Sequence, residues 1–81
     1  MHRVSGQTDA EGTLARIGAV IRAQRKAINL SQEAFADEAG IDRSHMGKIE
    51  RGERNVTMLN LLKIAQALKT VPSNILREAG F

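Results

Sequence analysis

Leu14, Ile17, Ile21 and Ile28 recur at helical spacing behind Thr13, a residue suited to capping. The pattern predicts a first helix from Thr13 to about Ile28, with Arg16, Arg22 and Lys26 largely off its apolar stripe. Asn29 follows it and tolerates the left-handed conformation of a helix end. A second apolar set, Phe35, Ala36, Ala39, Ile41, Met46 and Ile49, falls between Ser31 and Arg51. It predicts two short helices sharing one buried seam, with Ala36 small where they approach. Ser31 caps the first, which runs to about Ala39. Gly40 takes positive φ, Asp42 caps the second, and Gly52 ends it after Arg51. Residues 52–56 form a loop. Thr57 caps a fourth helix to about Lys69, with Leu59, Leu62, Ala65 and Leu68 on one face and Met58, Leu61 and Ile64 adjoining. That is more apolar surface than one small core needs. Pro72 suits the first position of a fifth helix whose apolar content is Ile75, Leu76 and, at its very end, Phe81. Residues 1–12 are polar, lack periodicity and read as a flexible tail. A solvated end is the plainer reading of its His2 and Arg3, and a basic arm the alternative.

Composition narrows the architecture. At 81 residues, one domain spans 13–81. With two Phe and no Trp or Tyr, packing rests on aliphatic side chains, which favours an all-α bundle. Cysteine is absent, which excludes disulfides and thiolate metal sites. Two histidines without helical pairing hold no metal, and no nucleophile, base and orienting group fall into a catalytic arrangement. No cofactor is needed, and no enzyme activity is expected. No apolar run spans a bilayer and no secretory signal is visible, so the expectation is a cytoplasmic protein without a membrane partner.

The net charge of +3 matters less than its distribution. Arg43, Ser44, Gly47, Lys48 and Arg51 lie outward on the third helix, opposite its apolar face. Such a rod has the dimensions of a DNA major groove. Glu33, Asp37 and Glu38 form an acidic face that points away from phosphate.

Leu30-Ser31-Gln32-Glu33, Ala36, Ala39-Gly40-Ile41, Ile49-Glu50-Arg51-Gly52 and Leu61 to Leu68 stand together, in order. Over roughly Leu14 to Leu76 the chain resembles the Cro and phage-repressor (XRE-like) helix-turn-helix family. The runs Asp42 to Gly47 and Glu50 to Asn55 look most like the controller proteins of restriction–modification systems. The resemblance implies a compact five-helix, lambda-repressor-like DNA-binding domain. It places Arg43, Ser44 and Lys48 at base edges, and Gly47 between them reads as part of the same contact. Arginine bonds guanine O6 and N7, lysine prefers the same acceptors, and Gly47 admits close backbone approach. Ser31, Gln32, His45, Arg51, Arg54 and Asn55 fall at the sugar–phosphate, with Gln32 also bracing the third helix. It further implies an ion pair between Arg25 and Glu50. Where the family usually has a terminating Gly, this chain has Lys69.

The function so implied is a sequence-specific, double-stranded DNA-binding transcription regulator of bacterial or phage origin. A homodimer reads a near-palindromic operator. Leu61, Val71, Ile75 and Phe81 are the expected dimer interface. Occupancy beside a promoter blocks or recruits RNA polymerase, and the regulated genes are its own and a restriction endonuclease. The alternative is an antitoxin-like or adaptor module that uses the same scaffold to dock a protein.

Overall fold

The computed structural model describes Asp9 and residues 11–81; the remainder of the expected tail, with His2 and Arg3, lies outside them. Five helices follow in order: α1 (Thr13–Ala27), α2 (Gln32–Ala39), α3 (Arg43–Glu50), α4 (Met58–Ala67) and α5 (Pro72–Glu78). There is no strand among the described residues.

Three helices begin on side-chain caps. Ser31 accepts a hydrogen bond from the Ala34 amide, Asp42 from His45 and Thr57 from Asn60. Helix α1 departs from expectation, because Thr13 is its first helical residue rather than its cap. Gly12 stands at the N-cap with φ 70° and has no side chain to offer. The Asp9 carboxylate reaches over that turn instead. It accepts from the amides of Thr13 at 2.9 Å, Leu14 at 2.7 Å and Ala15 at 3.4 Å. A carboxylate has two acceptor oxygens and a charge that suits the positive end of the helix dipole; a threonine hydroxyl offers less.

The helices also end alike. After each, a left-handed residue lets two amides turn back to open carbonyls. That residue is Gly at three ends, Asn29 after α1 and Lys69 after α4. Lys69 adopts φ 59° and its turn closes with Thr70 N–H on the Ala65 carbonyl at 2.9 Å. The missing Gly therefore strains one residue without changing the turn.

Helix α1 packs on α3 and α5, α2 on α3 and α4, and α4 on α5. Their shared centre is Ile21, Phe35, Met46, Ile49, Ile64 and Ile75, all fully buried. Burying one such side chain contributes about 1.5–3 kcal/mol. The seam expected between α2 and α3 is buried throughout.

Two stripes differ from expectation. Ile28 is exposed, because α1 stops at Ala27 and its last inward position is Arg25. On α4 the core face is Leu61, Ile64, Ala65 and Leu68; Met58, Leu59 and Leu62 face solvent. This also corrects the dimer surface. Leu61 is 4% exposed and Ile75 is 0% exposed, both spent on the core of the single chain. Val71 and Phe81 stay open, and Phe81 lies under the Arg16 guanidinium, 4.4 Å from its ring centre.

Candidate nucleic-acid interface

Helix α3 is held in place from beneath and left open above. Its underside meets α1 at Gly18, where a Cβ would strike the backbone carbonyls of Ile49 and Glu50. Only a glycine allows so close a crossing, and nothing in the hydrophobic period marks it.

At the end of α3 the Glu50 carboxylate gathers three helices. It accepts from Arg25 Nε at 2.8 Å and from the second Arg25 nitrogen at 3.1 Å. Gln32 Nε2 donates to it at 3.1 Å. Arg25 also donates to the Leu30 carbonyl at 2.9 Å, tying in the link between α1 and α2. Both partners are buried, and every Arg25 guanidinium nitrogen and both Glu50 oxygens hold a hydrogen bond, which is the condition under which such a pair is tolerated. Gln32 thus braces α3 through Glu50.

On the open side, Arg43 and Ser44 are exposed in the first turn of α3, and Lys48 is half-buried one turn on. His45 is half-buried on the flank. Arg43, Ser44, Gly47, Gln32 and Arg51 line a shallow cleft of about 360 Å³. Gly47 is buried at its floor, and here the structure adds a reason unlike the expected one. A Cβ at Gly47 would lie 3.1 Å from the Arg51 guanidinium and 3.2 Å from Gln32 Oε1. The protein's own side chains already crowd the position, before any DNA arrives.

Arg51 points to solvent but is not free. It donates from Nε to Glu53 Oε2 at 3.0 Å and from a terminal nitrogen to Oε1 at 3.2 Å. These hydrogen bonds, with the nearby charge of Arg51, hold the Glu53 carboxyl below its ordinary range. Arg54 and Asn55 are exposed in the loop beyond. Ser31 is exposed, and with its oxygen taken by the Ala34 amide it keeps a hydroxyl proton to donate.

Arg22 went unassigned in the sequence. It lines a second cleft of about 740 Å³ with Ala19, Arg25, Gln32, Glu50 and Arg51. The only signal of its place was its position off the apolar stripe, three residues before Arg25. No group of carboxylates, histidines or cysteines among the described residues is arranged to hold a metal ion.

A helix-turn-helix family model matches residues 21–76. The control protein C.SmaI of Serratia marcescens is 42% identical over 60 residues, 74% of this chain and 71% of that protein. C.MunI of a Mycoplasma species is 38% identical over 64 residues, covering 78% and 86%. Among solved structures, the restriction-modification controller protein C.AhdI from Aeromonas hydrophila superposes with a TM-score of 0.75 at 45% identity. That match covers 76% of this chain and 94% of the other.

Proposed function

This chain belongs to the helix-turn-helix family, alongside the control proteins, and on that premise we propose that it governs a restriction–modification operon as a homodimer on a near-palindromic operator. Members of this family are DNA-binding transcription regulators, not enzymes. One observation carries the reading to this chain. A cationic, polar helix face stands open at Arg43, Ser44 and Lys48, while the opposite face is fastened to two other helices through Glu50. A rigid mount matters because base readout needs donors at fixed positions in the groove.

One α3 covers few base pairs. Two of them about 34–36 Å apart read adjacent half-sites. The exposed Met58, Leu59 and Leu62 on the outer face of α4 support an interface between copies, with Val71 at the following turn. Beside a promoter, such a dimer blocks RNA polymerase or recruits it according to where the operator lies. A regulator of this kind works where the DNA is, in the cytoplasm; no helix among the described residues is long and apolar enough to cross a membrane.

Fluorescence anisotropy against DNA from upstream of its own gene, at several salt concentrations, tests this. Specific, cooperative binding is expected. Arg43→Ala should relax preference at one base position and cost about 1–3 kcal/mol there. Weak binding indifferent to sequence at every salt concentration would overturn the reading and leave a protein-docking adaptor.

A further inference from the structure

Two clefts share part of their walls. One runs along the first turns of α3, past Arg43 and Ser44; the other opens toward α1, past Ala19 and Arg22. Gln32 and Arg51 line both. The two adjoining clefts therefore form a trough in two parts, lined from the open face of α3 past the start of α2 to α1.

The charges along it are unequal. Arg25 is neutralised by Glu50 in the buried pair, and Arg51 is met by Glu53 at the surface. Arg22 is exposed and has no ion-pair partner among the described residues. Ala19 stands one turn before it and leaves the wall low. Gln32, which opens α2, brings the positive end of that helix to the same trough. An uncommitted guanidinium beside a low wall, in line with a recognition helix, suits a phosphate of the DNA backbone.

We infer that Arg22 is a DNA-contacting residue that grips a backbone phosphate at the flank of each half-site, so that the footprint extends from α3 onto α1. The assignment rests on the DNA-binding reading above and adds a contact to it. Arg22 carries no base readout. It sets register and supplies affinity that salt screens.

Salt dependence reads this directly. Binding of the full chain to operator and to scrambled DNA is measured between 50 and 200 mM salt, approximate working limits, for Arg22→Ala, Arg22→Lys, Arg51→Ala and Arg77→Ala. Arg77 is an exposed arginine on α5 that lines neither cleft, and it serves as the charge-matched control. Thermal melting checks that each variant folds. Arg22→Ala should weaken operator and scrambled DNA by the same factor, and Arg22→Lys should recover most of the loss. The slope of log K against log salt should fall by about 0.9 per protomer. Over that fourfold range the deficit then shrinks by roughly threefold per protomer. Ethylation interference should lose one phosphate at the flank of each half-site. If Arg22→Ala matches Arg77→Ala in slope and footprint while Arg51→Ala loses affinity, the Arg22 assignment fails alone. If native protein shows no operator preference and no arginine change alters binding, the DNA-binding reading fails, and the assignment falls with it.

Discussion

Two arginine–glutamate pairs sit side by side at the end of α3, with similar geometry and opposite surroundings. Arg25 and Glu50 meet at 2.8 Å with side chains 9% and 2% exposed. Arg51 and Glu53 meet at 3.0 Å with side chains 57% and 53% exposed. Each is bidentate. The sequence distance between the two systems is one residue, from Glu50 to Arg51. Water decides their roles. A desolvated pair cannot exchange partners, so it fixes where α3 stands relative to α1 and α2. A solvated pair holds its guanidinium only until a competing anion arrives, and adds little to folding. The protein thus keeps Arg25 as a fastener and leaves Arg51 at the surface, where the proposed function has it meet phosphate.

The largest effect should come from removing the buried acceptor. Glu50→Ala strands Arg25 and leaves Gln32 without its partner. Breaking a buried pair this way costs about 3–5 kcal/mol, a large part of the stability of so small a domain. Melting temperature should fall by more than about 10 °C, and operator affinity should fall with it. Unchanged melting would remove the pair from the account of rigidity. Gly18→Ala should act next, from beneath. Its Cβ would sit 2.5 Å from the Glu50 carbonyl oxygen, so one of the two backbones must shift. A loss of about 1–3 kcal/mol in urea unfolding is expected. A stable variant with full affinity would show that α1 shifts without disturbing the fastener.

Much of this was legible before the structure, and the misses share a cause. Helix caps and left-handed ends are written in single residues, so Ser31, Asp42, Thr57 and Gly40 could be read directly. The α2–α3 seam has one apolar face and one polar face, so its period left no choice. Helix α4 carries apolar residues most of the way round. Its period alone could not say that Leu61 turns inward while Leu62 turns out, so Leu61 reads as a surface residue that the core in fact takes. Ile28 lost its expected inward place because α1 ends at Ala27; the last inward position is Arg25, whose pair with Glu50 the family resemblance implied but the apolar period could not show. Gly18 and Arg22 matter through what faces them from other helices. Neither the apolar period nor a local motif carries that information.

The smallest effect on folding, and a separate one on binding, belongs to the exposed pair. Glu53→Gln removes a carboxylate that occupies Arg51 and lies near the positive charges of Lys48 and Arg54. Both side chains are in water, so melting should not change measurably. Affinity for any DNA should rise at low salt, more steeply salt-dependent than in the native protein, because a guanidinium is released to phosphate. Acid should mimic the substitution. Arg51 holds the Glu53 carboxyl below its ordinary range. What little the pair adds to stability is therefore present above the unfolded carboxylate range and lost as pH falls through the lowered folded value. Across neutral and mildly acidic pH the pair stays ionised, so the native protein should remain distinct from Glu53→Gln. The two should converge only under acid strong enough to protonate a carboxylate that an arginine is holding charged. Anisotropy titrations of both proteins down a pH series check this. Convergence near neutrality would mean that Glu53 does not occupy Arg51 in solution, and the contrast with the buried pair would lose its exposed half.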